Sequence, residues 1–327
     1  MSELERMPEA ELIAEINRLK KEKDAVVLAH YYMTPDLQVL QPKGGVADFI
    51  GDSLGLSVEA TKVQQQNIVF CGVKFMAETA KILNPARRVF IPDMEAGCSL
   101  ASSITGADVR ALRAQYPGAP VIAYVNTYAE TKAEVDICCT SRNALQIAKS
   151  MEADTLIFVP DLYMGQNLQR KIEAETGKKM ILWNGSCEVH EQFKGDNLKP
   201  LLAMNPDAEM LLHWEVPRDT VEESMQTNGG VLGSTNDILK YVGSSKANKF
   251  ILASECDLGA TLKGLYPEKE FITPCIKCPY MKKITLQNTL ATLRAIGTNR
   301  AANYEVTLEE DIMRRAYEPI KKMLAFA

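Results

Sequence analysis

The feature that most constrains this chain is an internal repeat with a period of about ninety residues. Short apolar, β-branched runs occur at "VVLAHYY", "NIVFCGV" and "RVFIPD", then at "VIAYVN", "TLIFVPD" and "MILWNG", then at "MLLHWEV", "FILASE" and "EFITP". Stretches of helical periodicity separate them, among them "LSVEATKVQQ", "RNALQIAKSM" and "NLQRKIEAE". Strands that alternate with helices predict parallel sheets joined by right-handed crossovers. The strands fall into three sets of three, so the chain reads as one βαβ-type unit written three times.

The sets match in detail. Each first strand closes on two polar residues around a third: His30-Tyr31-Tyr32, Tyr124-Val125-Asn126 and His213-Trp214-Glu215. Side chains two apart on a strand share a face, so each set presents a polar pair at its carboxyl end. A helix start with Ser or Thr follows at Gly51–Ser53, Cys139–Ser141 and Gly233–Thr235. Each third strand leads to a loop cysteine, Cys98, Cys187 and Cys278, spaced 89 and 91 residues apart.

Ligands of open parallel sheets bind outside the carboxyl ends of the strands. The expected fold is therefore α/β, with three similar three-layer α/β/α units. Each has a short parallel sheet, and the three stand pseudo-threefold about a central cavity. The expected boundaries are an N-terminal helix over 1–23, units over 24–105, 106–195 and 196–283, and C-terminal helices over 284–327. "LEEDIMRRAYEPIKKMLAFA" reads as a helix ended or kinked near Pro319 that packs back on the first unit.

Composition narrows the function classes. At 327 residues, 46% apolar and 24% charged, the chain is that of an ordinary globular protein. Its net charge of −5 argues against non-specific nucleic-acid binding. The N-terminus is charged throughout, without the apolar core of a signal peptide, and no later run is long enough to span a bilayer. The expected location is the cytoplasm. In a reducing compartment the eight cysteines are thiols, metal ligands or catalysts before they are disulfides. There are three histidines, His30, His190 and His213, and all three fall within the repeated motifs.

One thiolate from each of three units suits a metal better than pairwise redox chemistry. Structural zinc takes four protein ligands, usually as close pairs, and Cys275/Cys278 is the one such pair here. A [4Fe–4S] cluster ordinarily has four thiolates, so three would leave one iron open to substrate as a Lewis acid. The plainer alternative is three buried thiols. Cys71 lies in a strand, Cys138 and Cys139 precede a helix start, and Cys256 follows a strand. Cys275 in "CIKC" is open between a redox pair and a ligand.

Ser53, Ser141 and Thr235 can each be a helix N-cap worth about 1 kcal/mol. Facing one cavity, the three helix starts also make an anion site for phosphate or carboxylate. Glu215, with His213 on the same face, is a candidate general base, and Tyr32 and Tyr124 are candidate proton donors.

The stretches "LAHYY", "ADFIGDSLGLS", "GCSLA", "VIAYVNTYAETKAEVDICCTSRNA", "FVPD", "NGSCEVH", "GST" and "CPYM" run in one order from Val26 to Lys283. Together they resemble the quinolinate synthase family of NAD biosynthesis. The resemblance implies a three-domain fold around a [4Fe–4S] cluster held by Cys98, Cys187 and Cys278, with one iron open to substrate. It implies condensation of iminoaspartate (iminosuccinate) with dihydroxyacetone phosphate to quinolinate, phosphate and water. It assigns substrate contacts to His30, Ser53 with its neighbour Asp52, Tyr124, Asn126, Ser141, His190, His213, Glu215 and Thr235. Proton transfer falls to Tyr32 and Glu215, and the enzyme that supplies iminoaspartate is a candidate partner.

Three features depart from the family pattern. "VLQPKGG" at Val39–Gly45 intervenes before "ADFIGDS", Trp214 replaces a proline, and the path from Glu215 to "GST" is longer. The first and third read as insertions near the cavity mouth. The rival readings are an open-iron hydro-lyase acting on another hydroxy acid, an iron–sulfur sensor, and a metal-free phospho-sugar enzyme. A sensor gives no reason for Glu215, Tyr32 and the serines, and a lyase gives none for three anion-binding helix starts.

Overall fold

The computed structural model of the protein describes residues 3–327. Met1 and Ser2, where the expected N-terminal helix begins, lie outside the described residues. Three separate sheets are formed, each of four strands and wholly parallel. The first holds β1 (Ala25–His30), β2 (Phe49–Gly51), β3 (Asn67–Cys71) and β4 (Arg88–Phe90) in the order β2-β1-β3-β4. The second holds β5 (Val121–Tyr124), β6 (Ile137–Cys139), β7 (Thr155–Val159) and β8 (Lys179–Leu182) in the order β6-β5-β7-β8. The third holds β9 (Glu209–His213), β10 (Gly230–Gly233), β11 (Lys249–Ala253) and β12 (Glu270–Ile272) in the order β10-β9-β11-β12. The strand order is the same in all three.

Sequence patterning finds nine of these strands and misses β2, β6 and β10. Each is three or four residues long and two carry glycine, so none shows a usable alternation. They nonetheless fix the register of the strand ends. The residue after each first strand donates its N–H to the last carbonyl of the edge strand. These bonds run from Tyr31 to Gly51 at 3.2 Å, Val125 to Cys139 at 2.7 Å and Trp214 to Gly233 at 3.2 Å. A proline at 214 could not make the third bond.

Burial on both faces explains the apolar runs. Every residue of β1 and β3 is buried, as in a sheet covered on each side. In the third sheet Met210 and Leu212 face a core with Leu198 and Val221, while Leu211 between them faces one with Ile238 and Leu258.

The N-terminal segment forms two helices, Glu3–Arg6 and Glu9–Glu22, interrupted at Met7-Pro8. The longer one buries Leu12, Ile16 and Leu19 against β1 and the helix Leu286–Ala295. The last helix, Glu310–Leu324, departs from expectation twice. It lies mainly on β6 and the helix Ala129–Lys132 of the second unit, and less on Lys74–Leu83 of the first. It also does not end at Pro319 but continues to Leu324, with Ala316, Pro319, Ile320 and Met323 in one buried stripe.

Neither insertion contributes a residue to the cavity lining. In the first, Gly45 accepts from the Asn17 amide at 2.9 Å and the next residue, Val46, accepts from Lys20 at 2.7 Å. The segment is therefore held on the N-terminal helix, near the amino end of β1. "SMQTNGG" belongs to the helix Arg218–Thr227 and its exit turn into β10. A parallel pair needs such a crossover, so this length is structural. No helix among the described residues is long and apolar enough to cross a membrane.

Candidate active site

At the carboxyl ends of the three sheets lies a pocket lined by residues of all three units. Every residue singled out from the sequence borders it: His30, Tyr32, Asp52, Ser53, Cys98, Tyr124, Asn126, Ser141, Cys187, His190, His213, Glu215, Thr235 and Cys278.

The strand ends set the histidine rings. The amide of Tyr32 donates to Nδ1 of His30 at 3.1 Å, and that of Glu215 to Nδ1 of His213 at 3.4 Å. An accepting Nδ1 leaves the proton of a neutral ring on Nε2. Burial is the first reason both rings stay neutral, and it takes each pKa down to about 3. The Lys282 charge adds to this at His30, and the stacked His190 ring, 4.5 Å away, adds to it at His213.

Glu215 is the centre of a network that crosses unit boundaries. Its Oε1 accepts from the Tyr124 hydroxyl at 2.6 Å, and its Oε2 lies 3.2 Å from Nδ1 of His190. Burial opposes the charge on Glu215. The His190 and His213 rings and the Tyr124 hydroxyl outweigh burial, and the carboxyl falls to about 2. The His190 ring contributes most, by electrostatic attraction and then by its hydrogen bond, ahead of the His213 ring and the Tyr124 hydroxyl. Asp161, fully buried at the start of the helix Leu162–Thr176, is pushed well up by burial and by the Glu215 charge. Of these two buried carboxyls, Glu215 therefore holds the charge. Tyr32 and Tyr124 are both raised by burial and stay phenols. The Tyr32 hydroxyl sits 3.1 Å from Thr235 Oγ1 and 3.0 Å from Ser254 Oγ, which also lies 3.3 Å from His190 Nε2.

None of the three hydroxyl residues is a helix cap. Asp52 and Ser234 fill that role, accepting from the amides of Gly55 at 2.7 Å and Asp237 at 3.2 Å. Ser53 and Thr235 are first helical residues, and Ser141 lies in a turn before the helix Ala144–Ser150. Asp52, expected beside the ligand, is thus also the residue that frees Ser53 to face the cavity. The Oδ1 of Asn126 is buried with no hydrogen-bond partner among the described residues.

The three cysteines arrive on loops after the last strand of each sheet. In the second unit Gly185 makes this possible, since a Cβ there would meet Ser103 Oγ at 2.4 Å and the Pro160 carbonyl at 2.6 Å. Burial raises all three thiols, Cys98 to about 12, Cys278 to about 11 and Cys187 well up. Mutual repulsion among the sulfurs adds to each of Cys98 and Cys187. Without a cation these are neutral thiols, and three half-buried sulfurs bordering one pocket are a donor set that a cationic iron centre would deprotonate. Their chemistry fits three ligands of an iron–sulfur cluster. Cys187, His190 and Glu215 also bring one S, one N and one O atom within 4.8 Å of one another, a candidate group for a single ion.

Two cysteines correct the sequence reading. Cys256 and Cys275 form a disulfide, so neither is an ordinary free thiol and Cys275 is no candidate ligand. The loops after β11 and β12 run side by side there, with the Cys256 amide bonded to the Ile276 carbonyl at 2.9 Å. Sequence reasoning also missed Ser254 and Glu255. They occupy the positions held by Gly72-Val73 and Pro160-Asp161 in the other units, so no shared motif marks them. Their signal was their place at the end of the "FILASE" strand.

The family model described as quinolinate synthetase A protein matches residues 14–325. The quinolinate synthase of Caulobacter vibrioides (strain NA1000 / CB15N) is 45% identical over 320 residues, covering 97% of this chain and 82% of that protein. Those of Sinorhizobium fredii and Agrobacterium fabrum are 44% and 42% identical, each over 94% of this chain and over 80% and 84% of their own. Sheets repeated three times, one cavity and these likenesses agree: the chain belongs to the quinolinate synthase family of enzymes.

Proposed function

We propose that the protein condenses iminoaspartate with dihydroxyacetone phosphate to give quinolinate, phosphate and water, in the biosynthesis of NAD. The observation that carries this reading is the meeting, in one cavity, of a cysteine from each unit with the Tyr124–Glu215–His190 network. Cys98, Cys187 and Cys278 would hold a [4Fe–4S] cluster. When bound, the cluster supplies a Lewis-acidic iron to a substrate oxygen.

The remaining chemistry belongs to side chains. Ser53 and Ser141 offer hydroxyls beside helix starts, which suit the phosphate of dihydroxyacetone phosphate. His30 and His213, with Nε2 protonated, suit the carboxylates of iminoaspartate. The unpartnered Asn126 Oδ1 suits an N–H or O–H of the substrate, since a buried acceptor left unpaired costs about 1–3 kcal/mol. Glu215 is ionised and takes a proton from carbon or nitrogen as enamine and ketone tautomers interchange. Tyr32 and Tyr124 remain phenols and give protons to developing oxyanions.

The test is quinolinate formation by anaerobically purified, cluster-loaded protein given dihydroxyacetone phosphate and freshly generated iminoaspartate. Product from the wild type and none from Cys187→Ala is the expected result. An intact cluster without product would sink the assignment and turn attention to a hydro-lyase.

A further inference from the structure

Lys282 does not line the cavity, yet it joins two of its walls. It sits on the short turn Met281–Lys283 that follows the Cys278 loop, with its side chain mostly buried. Its ammonium donates to the Tyr32 carbonyl at 2.5 Å. It also forms ion pairs with Glu255 Oε1 at 2.8 Å and Asp257 Oδ2 at 2.5 Å. Glu255 is wholly buried and spends both oxygens on backbone: Oε1 also takes the Cys278 amide at 3.2 Å, and Oε2 takes the Asp257 amide at 2.8 Å.

Two charged side chains thus connect the backbone of Tyr32, in the first unit, to the backbone of Cys278, in the third. The tyrosine's far end is fixed in the third unit as well, through Thr235 and Ser254. A buried ion pair of this kind adds little net stability over an apolar pair of the same size. What it does supply is a fixed distance between a proton-bearing phenol and a sulfur loop on different units.

We propose that Lys282 and Glu255 are positioning residues that lock the Tyr32 strand end and the Cys278 loop into one frame. The inference rests on the function proposed above, because Tyr32 and Cys278 take their roles from it. Displacement of a reacting group by about 1 Å can cost on the order of 100-fold in rate, and that is the effect expected here.

The test compares cluster-loaded wild type, Lys282→Met, Lys282→Arg, Tyr32→Phe and the Lys282→Met/Tyr32→Phe double variant, all prepared anaerobically. Iron per chain, the electron paramagnetic resonance spectrum of the reduced cluster, kcat and KM are read for each. Lys282→Met should keep its iron, alter the cluster spectrum, and lose kcat on the order of 100-fold with KM changed less than about threefold. Lys282→Arg, which restores charge and donors, should recover at least about tenfold of that loss. Because Lys282 acts partly through Tyr32, the double variant should lose clearly less than the product of the two single losses.

Wild-type kcat and spectrum in Lys282→Met would overturn the proposal, and so would losses that multiply in the double variant. Should Lys282→Met not fold, Glu255→Gln takes its place, with a changed cluster spectrum expected and an unchanged spectrum and kcat overturning the idea. A wild type that makes no quinolinate defeats the proposed function instead, and the spectra of the same variants then decide the positioning role.

Discussion

At the amino ends of the strands each unit is tied to itself. The residue before the last strand of each sheet is basic and lies across carbonyls of its own unit. Arg87 donates to the Gln65 carbonyl at 2.5 Å. Lys178 donates to Lys149 at 2.8 Å and to Met151, and Lys269 to Val242 and Ser245 at 2.8 Å and Ala247 at 3.1 Å. At the carboxyl ends the polar bonds leave the unit: Tyr124 reaches Glu215, Tyr32 reaches Ser254, and Lys282 reaches Tyr32. The amino ends repeat one device three times, whereas the carboxyl ends carry a different residue set in each unit. Repetition builds three similar scaffolds, and asymmetry at one end of them builds one site.

That contrast predicts a separation of effects, and the sharpest break would come from Glu215→Gln. The amide keeps the shape of the network and loses the base. Activity should fall about 10³-fold, while melting shifts by less than about 3 °C. A matching loss of stability would mean that the cavity end is structural after all.

Lys132 tests whether a buried charge outside the network behaves as a plain stability term. Burial takes its amine down to about 8 from 10.5. Because its folded pKa lies below its unfolded one, the unfolded chain binds more protons between those values, and stability rises with pH there. Relative to Lys132→Met, the wild type should gain about 3 kcal/mol as pH is raised from 8 to 10.5, read from denaturant unfolding. A flat difference would show that the amine is not desolvated.

Lys269→Met strips three carbonyls of their donor at the amino end. It should cost about 2 kcal/mol of stability and leave kcat alone, measured by unfolding and turnover of one preparation. A lost kcat would erase the distinction between the two ends. The smallest effect belongs to the peripheral pair Arg88–Glu305, at 2.5 Å and partly exposed. Hydrogen bonding to Arg88 lowers the Glu305 carboxyl, so its contribution is present above the unfolded carboxylate pKa and fades as pH falls through the folded one. Glu305→Gln should cost about 0.5 kcal/mol at neutral pH and nothing in acid.

The same contrast marks what was legible in the sequence. The repeat exposed the strand ends and the three cysteine loops, because each recurs with its neighbours in order. Ser254, Glu255 and Lys282 were not legible, since they occur in one unit and act on Tyr32 from more than 200 residues away. Two helices are capped one residue before the expected hydroxyl, as Asp52-Ser53 and Ser234-Thr235 both offer two capping side chains in a row. The Cys256–Cys275 bond was hidden because it depends on two loops lying side by side. Pro319 does not end the last helix, because the buried stripe around it outweighs the local breaker.

Three separate units each giving one cysteine to a single iron–sulfur centre is the proposal on which the rest depends. Its most direct test is iron and sulfide per chain after anaerobic reconstitution, for the wild type and for Cys98→Ala, Cys187→Ala, Cys278→Ala and Cys71→Ala. The wild type and Cys71→Ala, whose thiol is buried against Thr289 away from the cavity, should hold about four of each, as a [4Fe–4S] cluster requires. Each of the other three should lose the cluster. Full loading after removal of Cys98, Cys187 or Cys278 would contradict the account, because a unit that gives nothing to the centre has no reason to meet the others there.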